Sequence, residues 1–373
     1  MISKVIRTYA SSFVAIASLF PSAVVASDLI FHDNDSVTPN NSRSYWTPRR
    51  LQNAKPLPMP KPTRGVTTQA TPAVGTPVSG RGQPPTVNIK PDFNNRLFQP
   101  PQTNFQANEQ EVQPNNVGSV GAFFTSSRLI PLSADVVYPY RPVGKLFFTI
   151  PNEGDFVCSG AVLKPRIVLT AGHCVHSGSG GQSGFFTNFL FVPAYRDGIA
   201  PFQAWSWSHV VTTNAWSQGG GVVPNAADYA MIEIIDLPFN GVSRRIGQVT
   251  GFLGFRTLSL FPNHATLLGY PSNLDNGHKM HQVTAQSFRT RNPNSVEYGS
   301  DMRGGSSGGP WIQNFGVAAV GQNDGRNPGF NQIIGVTSYG PVATDPLYQG
   351  SSIPDSRFVN MLNAMCQRQP GNC

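Results

Sequence analysis

Short apolar runs punctuated by glycine, proline and asparagine fill the C-terminal two thirds of the chain. The first is Val143-Gly144-Lys145-Leu146-Phe147-Phe148-Thr149-Ile150; others cover 156–162, 167–170, 189–192, 230–235, 266–269, 282–288, 316–320 and 333–338. Runs of this length, rich in β-branched and aromatic residues and bounded by turn formers, predict strands of a sandwich or barrel. The pattern changes only at the end. There Phe358, Met361, Leu362 and Met365 recur at helical spacing behind Ser356, which predicts a capped final helix packed on the body.

Residues 27–128 carry no sustained apolar period. They are rich in Pro, Asn, Gln, Thr and Gly, as in Lys55-Pro56-Leu57-Pro58-Met59-Pro60-Lys61-Pro62. Such a stretch is expected to be disordered and partly polyproline II, because it offers too little apolar surface to offset chain entropy. It would serve as a removable pro-segment, a spacer, a docking tail or a passive linker. Before it, Lys4 and Arg7 precede the apolar run around 13–17, and Val24-Val25-Ala26 precede Ser27. This reads as a signal peptide over 1–26, too short in its apolar part to span a bilayer. The expected organisation is thus signal, disordered segment, and a body over 129–373, secreted or periplasmic, with the four cysteines oxidised.

Composition adds little beyond this. Only 12% of residues are charged, and 37 glycines with 33 prolines suit a turn-rich β body with an unfolded extension. The net charge of +8 comes from scattered Lys and Arg, with no basic run longer than Arg49-Arg50 or Arg244-Arg245, so no nucleic-acid partner is expected.

The chemistry is concentrated in Gly304-Gly305-Ser306-Ser307-Gly308-Gly309-Pro310-Trp311. Glycines give nothing to a core, so something must approach this backbone closely, unless the run is merely a flexible turn. A nucleophilic Ser307 needs a base and a group that orients the base, and their chain order separates the folds that supply them. The last histidine is His281, so the esterase order, with His after Ser, is excluded. Thr170-Ala171-Gly172-His173-Cys174 ends an apolar run in a small-residue turn.

Together the two motifs resemble those of the chymotrypsin/trypsin-like serine peptidases, over about residues 129–365. Tyr138-Pro139-Tyr140 and Gly269-Tyr270-Pro271 resemble the bacterial branch that includes the glutamyl endopeptidases. The resemblance implies two antiparallel β-barrels with a C-terminal helix, and a serine endopeptidase acting on a protein or peptide as a monomer, with no cofactor and no metal. Ser307 would be the nucleophile, His173 the base, and the N–H groups of Gly305 and Ser307 the oxyanion hole. A disulfide Cys158–Cys174 would staple the loop of the histidine, leaving Cys366 and Cys373 to pair with each other.

The orienting acid must come from Asp197, Asp228, Asp236, Asp275 or Asp301, and Asp228, at the mouth of the apolar run 230–235, is the candidate. Asp301, six residues before the nucleophile, stands where trypsin-like members hold Lys or Arg of the substrate, although Arg303 is close enough in sequence to neutralise it. Ser338 and Gly340 would pair with the substrate backbone. Thr337 stands where glutamate-preferring members carry a histidine, which argues against glutamate preference. Ser306 replaces the aspartate that pairs with a newly cut terminus in animal members, so activation by a buried ammonium is not expected, even though Arg128-Leu129-Ile130 offers a cut. The rival from another class is an exported binding protein that keeps this fold without turnover.

Overall fold

The computed structural model describes residues 28–34, 44–62, 72–100, 118–129, 131–316, 329–341 and 346–373. The expected signal peptide and most of the expected strand 316–320 lie outside them. Two antiparallel systems of strands make the body. In the first, Val143–Ile150 pairs with Gly154–Lys164, which pairs with Ile167–Thr170, then Ala230–Ile234, Trp205–Thr213 and Thr187–Pro193. The last returns to Val143–Ile150 and closes a six-stranded barrel.

The second system runs through Tyr348–Ser352, Ser295–Gly299, His281–Arg291, His264–Gly269, Pro310–Gln313 and Gln332–Val336. It curls back on itself beyond Val336, where the Ser338 N–H donates to Gly350 O and the Gly350 N–H to Tyr339 O. Two antiparallel barrels, as expected, therefore stand side by side.

Trp205–Thr213 is a strand that the apolar pattern did not single out, because it mixes polar and aromatic residues as WSWSHVVTT. All nine of its residues are buried, and most of the polar ones are hydrogen-bonded: Ser208 Oγ donates to Glu233 Oε1, Thr212 Oγ1 to Tyr229 O and Thr213 Oγ1 to Ala227 O, while the Ser206 hydroxyl has no partner. Polar side chains enter a core when such partners are present. The final helix is Ser356–Arg368, with Phe358, Met361, Leu362 and Met365 buried as expected. Its N-cap is Asp355 rather than Ser356: the Asp355 carboxylate accepts the Arg357 N–H, and Ser356 is already helical. The two disulfides are Cys158–Cys174 and Cys366–Cys373.

The expectation of disorder across 27–128 needs correction for the described part of it. Leu29–Asp33 adds an antiparallel strand to Trp205–Thr213, and Phe124–Arg128 adds one to His281–Arg291. Trp46, Leu51 and Phe98 are buried, the first donating its indole N–H to Asn188 O at 2.6 Å. Isolated apolar anchors among prolines suffice because the barrels supply the surface they cover. A core built jointly with distant residues leaves no periodic signal in the segment itself.

Lys145 lies in the first barrel strand with its ammonium enclosed, donating to Gly277 O at 2.9 Å and lying 4.7 Å from the centre of the Tyr195 ring. Burial pushes its pKa down to about 7. The folded value lies below the ordinary 10.5, so between about pH 7 and 10 the unfolded chain holds more protons and stability rises with pH. Urea unfolding from pH 7 to 9 is expected to show a slope of up to about 1.4 kcal/mol per pH unit from this group. The slope should fall away in Lys145→Met; an unchanged slope would refute the assignment.

Candidate active site

His173 and Asp228 come from the first barrel, and Ser307 from the second. Strand Ile167–Thr170 ends at Ala171 and turns through Gly172–Cys174, which carries His173. The neighbouring strand Ala230–Ile234 pairs Ala230 with Thr170, so Asp228, two residues before its start, lies beside that turn. The result is a buried pair. Asp228 Oδ2 is 2.8 Å from His173 Nδ1, and Oδ1 accepts the His173 backbone N–H, also at 2.8 Å. Ser338 Oγ donates to Oδ2 at 2.5 Å, and Ser352 Oγ accepts the Asp228 N–H at 3.0 Å. The carboxylate is fully buried, and three groups converge on its two oxygens.

Three of the remaining four aspartates are engaged elsewhere. Asp236 is paired with Arg166, Asp197 with Lys279, and Asp275 with both Arg128 and His281.

The loop of Ser307 is pinned to the first barrel. The Ser159 N–H donates to Ser307 O at 2.7 Å, and Ser159 Oγ donates to Gly305 O at 2.9 Å. Gly308 has φ of +77°, and a Cβ there would come within 2.5 Å of Ser159 O and 2.9 Å of Ala171 N. Only glycine fits, both for the left-handed backbone and for the close approach of the two loops. That approach sets Ser307 against the turn bearing His173. No hydrogen bond joins the two side chains in this structure: His173 Nε2 and Ser307 Oγ are both buried without a partner.

Ser306 occupies a neutral environment. Its hydroxyl donates to Arg303 O at 2.7 Å and accepts from Gln349 Nε2 at 2.8 Å. Gln349 was not legible as a loop-holding residue, since its sequence neighbourhood carries no motif. Arg128, at the potential cut, is ion-paired to Asp275, and Leu129 is buried.

Asp301 is 8% exposed, with Oδ1 buried and unpaired, while its backbone carbonyl accepts from Asn273 Nδ2 at 3.0 Å. Arg303 senses the Asp301 charge but turns its guanidinium to Met302 O, and no ion pair forms between the two. The Thr337 hydroxyl accepts the Trp311 indole N–H at 2.9 Å. The Gly340 N–H donates to Pro60 O at 3.0 Å and the Gly305 N–H to Leu57 O at 3.3 Å, so two of the expected substrate-facing amides are already in use.

No protein-family model matches this chain. Among curated proteins it is 24% identical over 218 residues to an extracellular metalloprotease of Bacillus subtilis, covering 57% of this chain and 63% of that protein. It is 27% identical over 180 residues to a glutamyl endopeptidase of Bacillus licheniformis, covering 46% and 49%. The chain thus spans about half to under two thirds of these relatives. Among solved structures, a thermostable serine protease, AL20, from an extremophilic microorganism matches with a TM-score of 0.50 and 27% identity, over 61% of this chain and 98% of that one.

Proposed function

We propose that this chain, which resembles the chymotrypsin-like serine peptidases on the branch that includes glutamyl endopeptidases, is a secreted serine endopeptidase with His173, Asp228 and Ser307 as its triad. The observation that carries this reading is the buried His173–Asp228 pair beside a glycine-set serine loop. Asp228 holds the imidazole with Nδ1 protonated, which leaves Nε2 free to accept. Nε2 takes the proton of Ser307 Oγ as the oxygen attacks a peptide carbonyl. The N–H groups of Gly305 and Ser307 receive the oxyanion, and the imidazolium returns its proton to the leaving amine. Water then attacks the acyl-enzyme by the same route.

The name of the first relative implies a metal, but the donors here do not fit one. Among the described residues, Cys158, His173 and Cys174 are the group whose ligand atoms lie within 4.8 Å, and the two sulfurs are bonded to each other. A single imidazole remains, whereas a catalytic zinc takes three protein ligands. Among the described residues no helix is long and apolar enough to cross a membrane.

By the resemblance, the pocket for the residue on the acyl side would lie between 300–302 and 338–340. Both segments border 347–350, through Ser300 N–H to Leu347 O and Tyr339 to Gly350. By the resemblance, the acyl half of a substrate would run along Ser338–Gly340; the leaving amine takes its proton from His173, whose neighbour Cys174 is bonded to Cys158, so the leaving half would lie on the side of Val157 and Cys158. An unpaired carboxylate oxygen of Asp301 suits a Lys or Arg side chain there. Treatment of the proteolytically processed protein with a fluorophosphonate is expected to place one adduct on Ser307, with none on Ser307→Ala. A folded, processed protein without an adduct would sink the reading in favour of a binding protein without turnover.

A further inference from the structure

Ser307 is fully buried and His173 only 5% exposed, although a substrate carbonyl has to reach both. Part of the cover comes from this chain itself. Lys55 and Pro56 pair in parallel with Phe156 and Val157, and the Leu57 N–H donates to Val157 O at 3.0 Å. Leu57 O then takes the Gly305 N–H, and Pro60 O takes the Gly340 N–H. Met59 lies against Gly340 so closely that a Cβ on that glycine would strike its Sδ. Residues 55–60 thus cross the cleft from end to end, using backbone groups that a substrate would use.

Direction is decisive. On the peptidase reading, a substrate would place its N-terminal, acyl half on Ser338–Gly340 and its leaving half over Val157, on the side of His173 and the Cys158–Cys174 bond. Here Lys55–Leu57 lie over Val157 and Met59–Pro60 lie on Gly340, so the chain runs the opposite way. We propose that Lys55–Pro60 is an intramolecular inhibitor laid backwards through the substrate cleft; the proposal rests on the peptidase reading above.

Reversal explains how such a segment can lie beside a nucleophile uncut. Leu57 O reaches the Gly305 amide, but the acyl and leaving sides of its peptide bond are exchanged relative to the pocket at Asp301. The prolines at 56, 58, 60 and 62 add to this. Each fixes φ near −65° and lacks an N–H, so the segment is pre-extended and loses little entropy on binding. It also cannot donate to the cleft carbonyls at those positions, which leaves its hold on the cleft weaker than that of a true substrate strand. The chemical class of ligand is accordingly a proline-alternating peptide bound in reverse.

The test uses the intact full-length chain. Introducing Leu57→Asp with Met59→Asp is expected to raise the rate of Ser307 labelling by a fluorophosphonate at least tenfold. Hydrogen exchange at the Gly305 and Gly340 amides should speed up in parallel. The milder pair Pro58→Gly with Pro60→Gly, at exposed or half-exposed positions, only loosens the segment and should give a smaller rise of the same sign. The free peptide Lys-Pro-Leu-Pro-Met-Pro should slow labelling of the Asp variant again. Equal labelling rates in all three proteins, with unchanged exchange at both amides, would overturn the proposal. Faster exchange with no labelling in any form would uphold the cleft contact and fail the peptidase reading instead.

Discussion

An Asp228→Asn variant is expected to lose about 10⁴ in kcat with KM and thermal midpoint nearly unchanged, as for the loss of this carboxylate in a serine triad. The buried carboxylate takes Nδ1 and the backbone N–H of His173 on its two oxygens and is further held by Ser338. An amide of the same shape presents one oxygen and one N–H donor. It can satisfy the backbone N–H or the ring, but it reverses the preferred tautomer or faces the ring with a donor. The imidazolium formed during attack then has no counter-charge in a water-free site. Steady-state kinetics on a peptide ester, with circular dichroism melts as control, separates this from unfolding. A loss below tenfold would remove Asp228 from the triad.

The second large effect falls on selectivity. Asp301→Ser is expected to cost about 10²–10³ in kcat/KM for substrates with Arg or Lys before the cut, as for truncation of one partner of a desolvated charge pair, which costs about 2–5 kcal/mol. Substrates with apolar residues there should change little. The basis is a carboxylate oxygen enclosed without a partner and not neutralised by Arg303. Profiling a peptide library before and after the substitution gives the answer. If the unsubstituted enzyme shows no preference for basic residues, Asp301 does not select the substrate.

Both predictions concern the processed enzyme. In the intact chain the segment over the cleft would lower every rate together, and kcat ratios between variants would be preserved only if all are measured after the same processing. The neutral setting of Ser306, held by Gln349 and the Arg303 carbonyl, points the same way: among the described residues the loop is fixed without a carboxylate at that position. On the proposal above, control would fall to the segment laid across the cleft.

The motifs around His173 and Ser307 were legible because each combines an uncommon local requirement with its chemistry. A glycine at 308 is needed for both a positive φ and an approach to Ala171, and that need is written in the sequence as a run of glycines. The strands with unbroken apolar character and the final helix were legible for the same reason, since their periodicity is local. Trp205–Thr213 was not, because most of its buried polar residues are satisfied by partners 14 to 176 positions away, which a window along the chain does not see. Asp228 could be chosen from five aspartates by its place at a strand mouth, but only the pairing of Ala230 with Thr170 brings it to the ring. The sequence alone determined which residues are the candidates for the chemistry and which stretches carry a local apolar period. The tertiary structure decided how the described residues between 28 and 128 are used. Their few anchors, Trp46, Leu51 and Phe98, and the direction in which Lys55–Pro60 runs gain meaning only against surfaces contributed by distant parts of the chain.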